Sequence, residues 1–377
     1  MKRVLVIFGT RPEAIKLAPV IKELKKLRTI KTVVGSTGQH KEMLRQVLDI
    51  FNLKVDYDLD LMKSNQDLFD VTINSLSRLK LRLNEIKPDI LIVQGDTTSA
   101  FASALAAFYL KIKIGHVEAG LRSFNKMSPY PEEVNRKFIS AISDFHFAPT
   151  KMSKQNLLEE GIGNHHVYVT GNTVIDSLLD VSKLISDKKL SVKIEKQLIQ
   201  LCNSNIFNKK IILITLHRRE KFGAEFKKLL NTIKDLAKEN PNYNFVYPVH
   251  LNPNVKNPVT EVLNRIPNIV LVNPLDYLSF IYLMKKSYFI ISDSGGVQEE
   301  CYIFKKPILV MRDVTERMEA IKAGYAFLVG SSDKIIKRKF NQVDKKLKNN
   351  FNFFKTKNPF GDGKAAKRIV KIIQDNL

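Results

Sequence analysis

Arg3-Val4-Leu5-Val6-Ile7-Phe8-Gly9-Thr10-Arg11-Pro12-Glu13-Ala14-Ile15-Lys16 runs from an apolar stretch through a glycine turn into the start of a helix. Residues 3–8 predict a buried strand, because a short apolar run closed by glycine suits a sheet covered on both faces. Pro12 fits the first helical turn, where its missing N–H costs nothing. Outward from this unit the alternation repeats. Strands are expected at 32–35, 90–94, 113–116 and 145–148, with helices over 13–27 and 65–86; further strands follow at 211–216, 244–248, 269–272, 288–292 and 308–311. Such alternation specifies the α/β class, here as two doubly wound, Rossmann-like units built on parallel sheets. After a strand-like 167–170, the Lys-, Ser- and Asn-rich stretch 181–210 reads as a linker, with the hinge near Gly171. The domains are therefore set at 1–170 and 171–360. Gly361 and Gly363 then punctuate the chain before Ala366, Ile369, Val370, Ile373 and Leu377, which share one face of a final helix over 363–377.

With 377 residues, 44% hydrophobic and 26% charged, the chain has the make-up of a soluble globular protein of two to three domains. Its longest nearly apolar stretch, 99–110, is far short of the roughly 20 residues of a membrane span. Only five apolar residues lie between Arg3 and Gly9, fewer than the roughly 7 to 15 of a signal-peptide core, so the protein reads as cytoplasmic and not stably inserted in a membrane. Cys202 and Cys301 have no metal-ligand or disulfide spacing. The net charge of +23 invites a nucleic-acid reading. Its distribution argues otherwise: residues 333–377 hold 13 Lys and Arg against 4 Asp, and the rest is spread. Solvated surface is the leading reading of this charge, attraction to anionic substrates or headgroups the second; no nucleic-acid motif is present.

In open parallel sheets ligands bind beyond the carboxyl ends of the strands, which gives weight to polar residues placed there. These are Gly9-Thr10-Arg11, Gly38-Gln39-His40, Gly95-Asp96-Thr97, His116-Val117-Glu118, His217-Arg218-Arg219, His250 and Ser292-Asp293-Ser294-Gly295-Gly296. Repeated placement at one edge marks His116, His217 and His250 as functional candidates, while His146, His165 and His166 read as structural. The helix start at Arg11 attracts anions, with Lys16 one turn later, although a plain strand–helix turn explains the spacing equally well. Gly295 and Gly296 are the stronger signal, since two glycines between strand and helix let backbone N–H groups approach a diphosphate. Glu300, farther along that helix, is placed to accept sugar hydroxyls. No Walker loop or GxGxxG fingerprint occurs. Asp96, Glu118, Glu132 and Glu133 come from the first half and His217 from the second, which sets the site between the domains. Carboxylates gathered in this way suit proton transfer near neutral pH. For Glu132 and Glu133, helix N-terminal charge before Asn135-Arg136 is an equal alternative.

Taken together, Gly9-Thr10-Arg11-Pro12-Glu13, Thr37-Gly38-Gln39-His40, Gln94-Gly95-Asp96-Thr97-Thr98, His116-Val117-Glu118-Ala119-Gly120-Leu121-Arg122, Ser128-Pro129-Tyr130-Pro131-Glu132-Glu133-Val134-Asn135-Arg136, Thr170-Gly171-Asn172-Thr173, Leu216-His217-Arg218-Arg219-Glu220, Pro248-Val249-His250 and Ser294-Gly295-Gly296 closely resemble the non-hydrolysing UDP-N-acetylglucosamine 2-epimerases, nearly end to end. The resemblance implies a GT-B-like fold of two Rossmann-like domains facing a cleft, with the C-terminal helix crossing back to the first domain. It implies interconversion of UDP-N-acetylglucosamine and UDP-N-acetylmannosamine through elimination of UDP, a 2-acetamidoglucal intermediate and re-addition, in service of surface polysaccharide synthesis. By carry-over Asp96, Glu118 and Glu132 are the proton-transfer candidates and His217 stabilises the departing diphosphate. Arg11, Lys16, Arg136, Ser294, Gly295, Gly296 and Glu300 would hold UDP, with Phe280 near the uracil. The resemblance implies no metal and no other cofactor, and a homodimer.

Hydrolysing relatives read GTRAD and HxEGG where this chain reads GTRPE and HVEAG. The Ser-Pro-Tyr-Pro insert between Arg122 and Glu132 favours the plain N-acetyl sugar over diacetamido uronic acids. Gln39, Arg218 and His250 match positions where some members bind an activating second substrate molecule, but Glu42 and Asn65 depart from that pattern. Glu316-Arg317-Met318 lacks a family proline, and Ala323-Gly324-Tyr325 lacks a common threonine. The competing readings are an epimerase of a related modified UDP-sugar and a GT-B glycosyltransferase, which would require an acceptor.

Overall fold

The computed structural model describes residues 1–38, 41–61, 66–217 and 222–377, with backbone only for 41–43. The chain divides into two units, Met1–Ser177 with Phe360–Leu377, and Leu178–Pro359.

Unit one carries a parallel sheet of seven strands among the described residues: β1 (Lys2–Phe8), β2 (Ile30–Ser36), β3 (Tyr57–Asp58), β4 (Ile90–Gln94), β5 (Lys113–Val117), β6 (Phe145–Ala148) and β7 (Val167–Val169), in the order β3-β2-β1-β4-β5-β6-β7. Val4 to Phe8 and Ile90 to Val93 are buried, as strands covered on both faces must be. The covering helices include α1 (Arg11–Leu24), α2 (Lys41–Phe51), α3 (Leu68–Ile86), α4 (Thr98–Tyr109), α5 (Glu132–Ile142) and α6 (Lys151–Glu159). Strand order reverses between β1 and β4. At such a switch point the loops diverge and leave a crevice, so the β1–α1 and β4–α4 loops flank the expected ligand position.

Where the sequence sets the boundary at Gly171, the chain divides after Ser177. Residues 171–177 are held to unit one: Asn172 N donates to Phe360 O at 2.7 Å, and Ser177 Oγ donates to Ile15 O at 2.5 Å. The stretch 181–210 is no linker. It continues α7 (Thr173–Leu184) and holds α8 (Lys188–Leu201), whose Ile194 and Leu198 are buried one turn apart among lysines that snorkel to solvent.

Unit two carries a six-stranded parallel sheet, again among the described residues: β8 (Lys210–Thr215), β9 (Tyr243–Pro248), β10 (Ile269–Val272), β11 (Phe289–Ser292), β12 (Ile308–Val310) and β13 (Ala326–Leu328), ordered β10-β9-β8-β11-β12-β13. Its switch point lies between β8 and β11. The short β13, like β3 in unit one, was too brief to stand out as a run. The helices are α9 (Ala224–Glu239), α10 (Pro253–Leu263), α11 (Tyr277–Lys286), α12 (Gly295–Glu300), α13 (Met318–Lys322) and α14 (Asp333–Lys348). The final helix α15 (Ala365–Asn376) buries Ala365, Ala366, Ile369, Val370 and Ile373 and packs on α1, so it belongs to unit one. Asp176 accepts from Ala365 N and Ala366 N at 3.2 and 3.0 Å, satisfying the orphan donors of its first turn. No described helix is long and apolar enough to cross a membrane.

Candidate active site

At the switch point of unit one every residue of the Gly95-Asp96-Thr97 turn is held by a different side chain. His116 Nε2 donates to Gly95 O at 2.8 Å. Asn135 Nδ2 donates to Asp96 O at 2.9 Å, and the Asp96 carboxylate takes Arg136 through Nε at 2.8 Å and Nη2 at 2.6 Å. Thr97 caps α4 by accepting from Ala100 N and donates its own hydroxyl to Glu13. A glycine at position 95 is required because φ is +73°, the left-handed region. His116 is fully buried, and burial lowers its pKa to about 3, which keeps the ring neutral as the donor that this carbonyl needs. His116 therefore supports the turn from within the fold.

One strand over, Glu118 follows β5 with φ at +67°, a conformation that costs a side-chain-bearing residue about 1–2 kcal/mol. The N–H groups of Glu118 and Ala119 both donate to Phe147 O, at 3.1 and 3.2 Å, which holds the kink. Its carboxylate accepts from Gln94 Nε2 at 2.7 Å and is paired with Lys16 Nζ from α1. Asp96 and Glu118 thus leave neighbouring strand ends, each met by a cation from a helix. Glu132 and Arg136 are one turn apart on α5, and Arg136 links that helix to Asp96. Glu133 is structural: it accepts from Ser123 N, Phe124 N and Arg136 Nη1 at 3.0, 3.1 and 2.8 Å.

The same plan recurs in unit two. His217 and Asp293 follow the switch-point strands β8 and β11. His217 N donates to Asp293 Oδ2 at 2.8 Å, and its ring Nδ1 lies 3.3 Å from Oδ1. The buried carboxylate thereby anchors the His217 backbone and stands beside its half-exposed imidazole. The His250 ring stacks on His217 at 6.0 Å between centroids, and its Nδ1 accepts from Asn252 N. The Ser294-Gly295-Gly296 turn opens α12. A Cβ built on Gly295 would meet Arg317 Nη1 at 2.8 Å, whereas one on Gly296 meets nothing within 4 Å. Gly295 is thus required by the protein's own packing and Gly296 is not. Behind the turn runs a buried chain of alternating charge: Arg312 to Glu316 at 2.6 Å, Glu316 to Arg317 at 2.7 Å and Arg317 to Glu299 at 2.9 Å. Phe280 lies half-buried in the first turn of α11, whose cap Asp276 accepts from Ser279 N.

The sequence profile of the UDP-N-acetylglucosamine 2-epimerases matches residues 22–374. The chain belongs to that family. It is 50% identical over 375 residues to the UDP-N-acetylglucosamine 2-epimerase of Neisseria meningitidis, covering 99% of this chain and 100% of that one. The enzyme of the same name from Campylobacter jejuni is 48% identical over 374 residues, with 99% and 97% covered. A crystal structure of the Neisseria meningitidis enzyme bound to UDP-GlcNAc superposes with a TM-score of 0.95 at 48% identity, covering 99% and 100% of the two chains. The two-Rossmann-domain architecture expected from the sequence is that of the epimerase family.

Of the residues carried over from the family, Arg11, Lys16, Asp96, Glu118, Glu132 and Arg136 stand in unit one, and His217, His250, Phe280, Ser294, Gly295, Gly296 and Glu300 in unit two. Gln39, Arg218, Asn65 and the Glu42 side chain lie outside the described residues. Sequence reasoning assigned no role to Gln94, Thr97, Asn135, Asp293, Glu299 or Arg312. Gln94, Asn135 and Asp293 bond directly to Glu118, Asp96 and His217, while Thr97, Glu299 and Arg312 bond to Glu13, Arg317 and Glu316 beside them. Among the described residues no three His, Cys, Asp or Glu side chains gather into a metal-binding group.

Proposed function

We propose that the protein interconverts UDP-N-acetylglucosamine and UDP-N-acetylmannosamine without hydrolysis, in the cytoplasm, as a supplier of surface polysaccharide synthesis. The observation that carries this reading is the end-to-end match to the 2-epimerases, with GTRPE and HVEAG in the two loops that separate them from hydrolysing relatives. C2 is not adjacent to a carbonyl, so its proton cannot leave alone. A base takes it while the C1–O bond breaks; UDP departs with the bond's electrons and a C1=C2 double bond remains as 2-acetamidoglucal. UDP then re-adds at C1 and a proton is delivered to the opposite face of C2.

Two faces call for two groups, and Asp96 and Glu118 are assigned to them, with Glu132 as a further proton carrier. Arg136 and Lys16 serve each carboxylate as a positioning and charge-balancing partner, and with Arg11 they contribute positive potential for the diphosphate. In unit two the Gly296 backbone approaches the diphosphate, Ser294 and Glu300 take hydrogen bonds, Phe280 borders the uracil and His217, anchored by Asp293, donates to the leaving oxygen. Migration of an ¹⁸O label from the C1–O–P bridge to non-bridging positions of the β-phosphate, with no acceptor added, tests C1–O cleavage. Epimer formed without migration excludes elimination, and turnover that waits for an acceptor favours a transferase.

The protein is further proposed to act as a homodimer through unit one. Phe69 and Ile73, one turn apart on α3, are 77% and 60% exposed, and Phe108 and Tyr109 on α4 beside it, with Phe138 on α5 beside α4, are also exposed.

A further inference from the structure

Glu13 is almost wholly buried, yet it is a carboxylate and is none of the groups assigned above. Burial raises its pKa, and hydrogen bonds from Thr97, Gly9 and Thr10 oppose that shift. Oε2 accepts from Gly9 N at 2.8 Å and Thr10 N at 2.6 Å; Oε1 accepts the Thr97 hydroxyl at 2.6 Å. An ordinary helix cap explains only the Thr10 bond, since the third residue of a helix often reaches back to the cap N–H. The other two bonds reach the strand-end glycine and a different loop. Gly9 and Thr10 precede Arg11, and Thr97 follows Asp96, so one side chain spans the crevice at the switch point. Little slack surrounds it: a Cβ built on Gly9 would meet Thr37 Oγ1 at 2.4 Å and Ser99 Oγ at 2.6 Å.

We propose that Glu13 is a positioning residue that ties the Arg11 turn to the Asp96 turn, so that the group attracting the diphosphate and the group moving the C2 proton keep one registration. This rests on the function proposed above. Asp293 makes the corresponding tie in unit two, between the loops after β8 and β11, but there the tied group is itself a ligand-facing histidine. Glu13 acts through backbone N–H groups and the hydroxyls of Thr10 and Thr97.

The test uses Glu13→Ala, Glu13→Gln, Thr97→Val and the Glu13→Ala/Thr97→Val double variant of the full chain, with UDP-N-acetylglucosamine as substrate and UDP as the binding probe. Thr97→Val removes the link to the Asp96 turn together with the cap it gives Ala100 N, and kcat is expected to fall about tenfold with the UDP Kd nearly unchanged. Glu13→Ala frees both loops, with kcat down about a hundredfold and UDP binding weakened about tenfold. Because the bond they share is already lost in Glu13→Ala, the double variant should add at most the small loss of the α4 cap, well short of the product of the two single losses. Glu13→Gln should recover most activity. Its oxygen still accepts from Gly9 and Thr10, and its amide donates to Thr97 Oγ, whose proton turns to Ser99 Oγ at 3.0 Å. Multiplied losses in the double variant, or a fall in melting temperature with kcat and Kd unchanged, would overturn the proposal. Amide exchange separates it from the functional reading. Should the wild type not epimerise, faster exchange at residues 95–97 as well as 9–10 in Glu13→Ala still supports the tie, and unchanged exchange at 95–97 sinks it.

Discussion

Gly296→Ala separates fold from function at a single atom. In the structure the added methyl meets nothing within 4 Å, and the backbone is not in the left-handed region, so the fold accepts it. Replacing a glycine by alanine in a helical turn without strain stabilises by about 0.4–1 kcal/mol, chiefly by restricting the unfolded chain. Stability should therefore hold or rise. A diphosphate cradled by the α12 N-terminus would lose close approach to the backbone N–H groups. Loss of one charge-assisted hydrogen bond costs about 1.5–3 kcal/mol, which is about 10- to 150-fold in UDP affinity. Calorimetric titration with UDP and a thermal scan of the same sample read both quantities. Gly295→Ala is the contrast: its methyl would press on the Arg317 guanidinium at 2.8 Å, so stability should fall with affinity. Wild-type UDP affinity in a Gly296→Ala protein of unchanged or higher melting temperature would place the diphosphate elsewhere.

Asp96→Asn and Glu118→Gln should each cut turnover by about 10²–10⁴ while UDP still binds; full turnover in both would remove their roles. Burial raises the Asp176 pKa to about 6 from 3.8. The folded state thus holds an extra proton between about pH 4 and 6, and this group's contribution to stability falls by about 2 to 3 kcal/mol as pH rises through that window. Asp176→Asn should gain on the wild type by that amount between pH 4 and 7 in urea unfolding, and parallel profiles would contradict the assignment. Phe69→Glu with Ile73→Glu should shift sedimentation from dimer to monomer with the fold intact; an unchanged sedimentation coefficient would free that face from the interface.

The strands that set the fold were legible because buried parallel strands must be continuous apolar runs, as in Val4 to Phe8 and Ile211 to Ile214. β3 and β13 were not, having two and three residues. The lysine-rich 181–210 misled because composition masks a four-residue apolar period, and α8 needs only Ile194 and Leu198 to bury its face. Asp96, Glu118 and His217 announced themselves by position after strands. His116 stands at the same edge by the same rule, and the structure shows its ring buried and bonded to Gly95 O. The ties made by Glu13 and Asp293, and the Arg312–Glu316–Arg317–Glu299 chain, stayed hidden. Glu13 reaches Thr97, Asp293 reaches His217 and Arg317 reaches Glu299 from separate segments, which the strand order brings into contact.

Proton NMR of the purified protein with UDP-N-acetylglucosamine alone in deuterated water tests the central claim most directly. The account predicts a growing UDP-N-acetylmannosamine signal with deuterium at C2 in both sugars. Free N-acetylmannosamine with UDP, or a sugar nucleotide that keeps its C2 proton and configuration, would contradict it.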